Sequence, residues 1–151
     1  MSFTPTSAPP ARSSTLLSTP LVSTQWLVES VVAGDLQATL VCALPTKNYS
    51  GETGDRARLG HIPGSISIPA GRLIDRNSNT FHRGDELSTR LAPALGARRV
   101  VAYCAGGIAS AASALALHVA GQTNVAIFDG SLDEWAADPD APLETSSTAH
   151  P

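Results

Sequence analysis

Arg99-Val100-Val101-Ala102-Tyr103-Cys104-Ala105-Gly106-Gly107-Ile108-Ala109-Ser110 runs from an apolar stretch through a cysteine and two glycines into small residues. The stretch from Arg99 to Tyr103 is short, apolar and rich in β-formers, which predicts a strand buried on both faces. Beyond Ile108 the small residues predict a helix reaching Ala120 and closed by Gly121. A strand that feeds a helix through a glycine turn puts Cys104 at the carboxyl end of the strand. Ligands gather at that end of parallel α/β sheets.

The spacing has a chemical rationale. Glycines let the chain curl so that successive backbone N–H groups point inward. The helix that follows adds the positive end of its dipole. Both stabilise a thiolate and lower the pKa of Cys104. The alternative is a buried structural thiol with glycines that merely turn the chain. The segment alone leaves both open.

Outward from this segment the chain repeats the same alternation. Ser23 or Thr24 can cap a helix through Trp26, Leu27 and Val31 that stops at Gly34. Thr39 to Ala43 reads as a buried strand ended by Pro45, and Thr46 to Gly60 as a polar loop holding Arg56 and Arg58. His61-Ile62-Pro63-Gly64 is turn chemistry, Ile66 to Ile68 a short strand, and a loop rich in Asn, Ser and Gly follows. A helix from about Asp85 is interrupted near Pro93. Val125 to Phe128 is the last strand, and Asp129-Gly130 turns into a short helix from Ser131 to Ala136. Strands alternating with helices predict an α/β fold, a parallel sheet flanked by helices on both faces.

Length and composition agree with one domain. The 151 residues are 42% hydrophobic and 15% charged, with a formal charge of -3. That charge gives no electrostatic reason to expect nucleic acid or a membrane surface as partner. No apolar run approaches membrane-spanning length. Residues 1–20 are rich in Ser, Thr, Pro and Ala and lack the charged start and apolar core of a secretory signal, so they read as a disordered leader. The domain is expected over 21–144, with a flexible tail over 145–151.

Two cysteines, Cys42 and Cys104, cannot build a disulfide framework. The four histidines are far apart, and no Cys or His pair has ligand spacing, so no metal is expected. A reducing, cytoplasmic setting follows. Among single residues, His61 reads as a turn histidine bonding to backbone. Trp26 and Trp135 read as packing residues, as do Tyr103 and His118. Ser110 either caps its helix or touches a ligand of Cys104, and capping is preferred.

Residues 21–144 resemble the rhodanese superfamily, especially the catalytic half of two-domain thiosulfate and 3-mercaptopyruvate sulfurtransferases. Four stretches in family order carry the resemblance. Leu21 to Leu27 looks like the opening helix, and Gly60-His61-Ile62-Pro63-Gly64-Ser65 with Ile68-Pro69 like the GHIPGA-type signature. Tyr103 to Ser110 looks like the active-site loop, and Asp129-Gly130-Ser131 with Glu134-Trp135 like the closing signature.

The resemblance implies a ping-pong sulfurtransferase. Cys104 would take sulfur from a small-molecule donor such as thiosulfate or 3-mercaptopyruvate and pass it to cyanide, a small thiol or a protein thiol. The backbone of Ala105, Gly106, Gly107, Ile108 and Ala109 would hold the persulfide, and no cofactor is needed because the cysteine carries the sulfur. Phosphatase and arsenate reductase relatives have a loop one residue longer that ends in arginine. Here the loop closes at Ala109, which disfavours a phosphate dianion.

The chain also departs from the family. Many members carry Asp-x-Arg where this one has Cys42-Ala43-Leu44. Arg58, with Arg56, is then a candidate to supply the missing positive charge. The same departure keeps a non-catalytic relay or protein-binding module as the second reading. Cys42 is either a resolving thiol for Cys104 or a small hydrophobe filling the place of an aspartate, and the second is preferred.

Overall fold

The computed structural model describes residues 20–146, and within them β1 (Thr39–Cys42), β2 (Ile66–Ser67), β5 (Val100–Tyr103) and β6 (Val125–Ile127) form one sheet. The strand order is β2-β1-β5-β6, and every pair is parallel. The expected α/β architecture is therefore present, with β5 in the interior of the sheet and all four of its residues buried. Outside β6, Leu21 adds an isolated parallel bridge to Ile127.

Alternation along the strands feeds two cores. Leu40, Val101, Tyr103 and Ala126 face one side, where Leu27, Leu132 and Trp135 from α1 (Thr24–Ala33) and α5 (Ser131–Ala137) cover them. Val41, Val100 and Val125 face the other. There Leu87, Leu91, Ala114 and Leu117 from α3 (Gly84–Leu91) and α4 (Ile108–Val119) close the layer. The period of two in each strand is what lets one sheet serve two helical layers.

Local signals set the helix ends. Ser23 accepts the Trp26 N–H at 3.2 Å, and Gly34 ends α1 at φ 70° with its N–H on the Ser30 and Val31 carbonyls. The small residues of α4 turn Ser110, Ser113, Ala114 and Ala116 toward the interior.

Two features depart from the sequence reading, and a third, the Pro-containing segment from Ala137 that is expected to drape or fray, drapes. The polar loop begins with a short helix, α2 (Thr46–Ser50), because Pro45 presents its carbonyl to Asn48 and Tyr49 and Tyr49 is buried. The Asn- and Ser-rich loop carries a small hairpin, β3 (Ile74–Asp75) with β4 (Thr80–Phe81), turned by Asn79 at φ 54°. The segment after α5 drapes back over the domain. Glu144 pairs with His61, Trp135 Nε1 donates to the Pro142 carbonyl at 2.7 Å, and the Ser146 N–H reaches the Ser50 carbonyl. Thr145 and Ser146, expected in the tail, therefore lie against the domain. Residues 1–19 of the expected leader and 147–151 of the tail lie outside the described residues. Among the described residues, no helix is long and apolar enough to cross a membrane.

Candidate active site

Strand β5 ends at Tyr103, so Cys104 is the first residue whose backbone leaves the sheet. Its N–H donates to Ser131 Oγ at 3.0 Å, and its carbonyl accepts the Leu132 N–H at 3.0 Å. The Ala105 carbonyl accepts the Asp133 N–H, also at 3.0 Å. The beginning of α5 thus holds the beginning of the loop.

The chain then turns through Gly106 and Gly107. Gly107 has φ 101°, a conformation that L side chains avoid. From there its N–H donates to Cys104 Sγ at 3.1 Å. Ser110, from the first turn of α4, brings its Oγ to 3.5 Å from the sulfur while donating to the Gly107 carbonyl at 2.9 Å. Ser131 Oγ lies 3.9 Å from the sulfur.

Burial pushes the Cys104 thiol up. Hydrogen bonding with the Ser110 side chain and backbone, the Gly107 backbone and the Ser131 side chain outweighs it, and the net pKa is lowered from 9.0. The sulfur therefore sits at the positive end of α4 among donors that favour its anion. Cys104 is also buried, only 2% exposed, whereas Ile108 in the same loop is 90% exposed.

The five loop residues named from sequence take different parts. Gly107 meets the sulfur, Ala105 binds α5 through its carbonyl, and Gly106 backs onto Asp133, whose Oδ2 would stand 3.2 Å from a Cβ there. Ile108 projects to solvent, and Ala109 packs against the core. The second amide at the sulfur belongs to Ser110, which also touches it through the hydroxyl instead of capping α4.

Arg58 is a correction. Its guanidinium donates to the Asp138 and Ala141 carbonyls, each at 2.6 Å, so it clamps the returning segment rather than supplying charge to the loop. Two forked N–H groups matched to two backbone carbonyls make that the stronger use of the side chain. Arg56 is the arginine nearer the site, with its Nε 3.8 Å from Asp133 Oδ1.

Cys42 stands in register with Tyr103 and is fully buried. Burial pushes its thiol up to about 11. Leu44, in the place of the family's arginine, belongs to the core around it. Tyr103 packs as expected, and its hydroxyl also bonds Ser65 Oγ at 2.7 Å and accepts the Ile62 N–H at 3.1 Å. His61 bonds the Tyr49 carbonyl through Nδ1 at 2.8 Å and stacks on the Tyr49 ring. Sequence reasoning missed Ser131 as a partner of the cysteine. The only signal for it is its place in the closing signature, since 27 residues separate the two.

The family model described as Rhodanese-like domain matches residues 35–138, more than half of the chain. The chain belongs to the rhodanese-like domain family. This rhodanese-like domain is 40% identical over 91 residues to thiosulfate/3-mercaptopyruvate sulfurtransferase 1, mitochondrial, of Arabidopsis thaliana, covering 58% of the chain and 24% of that protein. It is 33% identical over 114 residues to the putative thiosulfate sulfurtransferase SseB of Mycobacterium tuberculosis, covering 74% of the chain and 39% of that protein. The chain thus spans well under half the length of these curated relatives. Among solved structures, the Tum1 protein of Saccharomyces cerevisiae superposes with a TM-score of 0.74 at 25% identity, covering 85% of this rhodanese-like domain and 47% of that chain.

Proposed function

We propose that this rhodanese-like domain is a sulfurtransferase that carries sulfane sulfur on Cys104. The observation that carries the reading is the sulfur itself: Cys104 Sγ accepts the Gly107 N–H at 3.1 Å at the start of α4, with its pKa lowered. A lowered pKa raises the share of thiolate, and the thiolate is the nucleophile. With thiosulfate, the thiolate attacks the outer sulfur, the sulfur–sulfur bond of the donor breaks and sulfite leaves with the electron pair. With 3-mercaptopyruvate, the carbon–sulfur bond breaks and the pyruvate enolate takes up a proton. An acceptor, either cyanide or a thiolate, then attacks the outer sulfur of the persulfide and Cys104 leaves as thiolate.

The surroundings bear on the donor. Residues 105–109 carry no charged side chain, while Asp129 and Asp133 stand against Gly107 and Gly106. A dianionic donor meets more repulsion there than a monoanionic or protein-bound one, which supports 3-mercaptopyruvate or a protein donor over thiosulfate. Ala109, in the place where phosphatase relatives carry arginine, speaks against phosphoryl transfer. Two free cysteines suit a reducing compartment such as the cytoplasm.

The test compares thiosulfate with 3-mercaptopyruvate, each with cyanide, on wild type and Cys104→Ser, reading thiocyanate. Turnover that survives the substitution removes Cys104 from the role. One observation favours a second reading, a sulfur relay without turnover: Cys104 is buried, with 2% of the residue exposed. That reading predicts an intact mass heavier by one sulfur atom with no thiocyanate.

A further inference from the structure

Ser131 opens α5 in the left-handed region, at φ 52°. Glycine would adopt that backbone freely, and a serine there is strained. The fully buried hydroxyl makes contacts that glycine cannot. Its Oγ accepts the Cys104 N–H at 3.0 Å, donates to the Phe128 carbonyl at 2.9 Å and lies 3.9 Å from Cys104 Sγ. The next two residues, Leu132 and Asp133, hold the Cys104 and Ala105 carbonyls through their N–H groups. The peptide units on both sides of the reactive cysteine are therefore tied to three consecutive residues, and only Ser131 uses a side chain.

We propose that Ser131 is a positioning residue for the sulfur of Cys104, its strained backbone carrying a hydroxyl that fixes the Cys104 amide and turns its proton from the Phe128 carbonyl to Sγ when the sulfur is an anion. A hydroxyl has one proton and two acceptor sites. With a neutral thiol the proton belongs to Phe128, the nearer acceptor. An anionic sulfur is the stronger acceptor, because a hydrogen bond to a charged group is about twice as strong as a neutral one. Rotation about the Cβ–Oγ bond moves the proton while the oxygen still receives the Cys104 N–H. No bond between heavy atoms changes.

The inference rests on the sulfur-transfer reading for what the anion does next, but the thiolate can be titrated without any sulfur donor. The other titratable groups around the loop and Ser131 are Cys42 on β1, Tyr103 on β5, Asp129 before α5, Asp133 and Glu134 on α5, the last standing against Gly130, and Arg56 facing Asp133. None is altered by substituting Ser131.

The experiment is alkylation of Cys104 by iodoacetamide across pH on the full chain, with the modified site mapped by peptide mass, for wild type, Ser131→Ala and Ser131→Gly. The midpoint is expected to rise by about one pH unit in both variants. Melting is expected to separate them. Ser131→Gly stays near wild type, because the strain is relieved as the contacts are lost, and Ser131→Ala falls below it. A midpoint that stays put in folded Ser131→Gly overturns the proposal. So does a Ser131→Gly chain that fails to fold, since the role is then structural. A wild type that takes up no sulfur sinks the sulfur-transfer reading and leaves this titration to be decided on its own.

Discussion

Asp129 closes the space beside Gly107. A Cβ on Gly107 would stand 2.6 Å from Asp129 Oδ1 and 3.1 Å from its carbonyl oxygen, and the backbone there has φ 101°. The glycine that gives its N–H to the Cys104 sulfur thus has neither room nor conformational freedom for a side chain. Gly107→Ala is expected to cost about 1–3 kcal/mol of stability and to raise the Cys104 titration by displacing the N–H. Urea denaturation and pH-dependent alkylation measure the two effects. An unchanged alkylation midpoint would show that the amide does not hold the anion.

Cys42 sets an alkaline limit. Burial is the main cause that moves its thiol from 9.0 to about 11, against smaller opposing hydrogen bonds from the Leu44 backbone and the Tyr103 side chain. The folded chain keeps a proton that the unfolded chain releases, so this part of the stability is present below pH 9.0 and is lost as the pH rises toward about 11. Two pH units correspond to roughly 2–3 kcal/mol. Above pH 9.0 the urea midpoint of wild type should therefore fall more steeply than that of Cys42→Ala. Parallel curves would contradict the assignment.

Arg58 has a mechanical role. Replacing it with methionine keeps the aliphatic stem and removes both hydrogen bonds, to Asp138 and Ala141. The expected loss is about 2–3 kcal/mol, with faster hydrogen exchange at the amides of Ala141 and Glu144. Cys104 alkylation should not change. A thiol that responds as strongly as the exchange rates would return Arg58 to the active site.

Tyr103 carries a buried polar contact behind the reactive strand. Tyr103→Phe leaves Ser65 Oγ and the Ile62 N–H without the phenol oxygen they share. A loss of about 1–3 kcal/mol in thermal or urea unfolding is expected, the penalty of unpaired buried groups. A neutral substitution would mean that the two groups find other partners.

The fold was legible in sequence because its signals are local. Apolar runs of four or five residues between helical stretches dictate buried parallel strands, Ser23 and Gly34 mark the ends of α1, and a cysteine between a strand and glycines falls at the sheet's carboxyl edge. The short elements were not legible. The five residues of α2 and the two-residue strands β3 and β4 are too brief for a periodic pattern, and they form because Pro45, the burial of Tyr49 and the turn at Asn79 favour them in place.

The sequence by itself determined the layered sheet and the position of Cys104 on it, since both follow from neighbours within a few residues along the chain. Only the tertiary structure decided which groups surround the sulfur. Ser131 reaches Cys104 across 27 residues, and Arg58 reaches Ala141 across 83. Such contacts depend on how the layers dock. Hydrophobic period and turn chemistry act over one element at a time, so they specify the strands and helices but not which loop arginine turns to a carbonyl and which to a carboxylate.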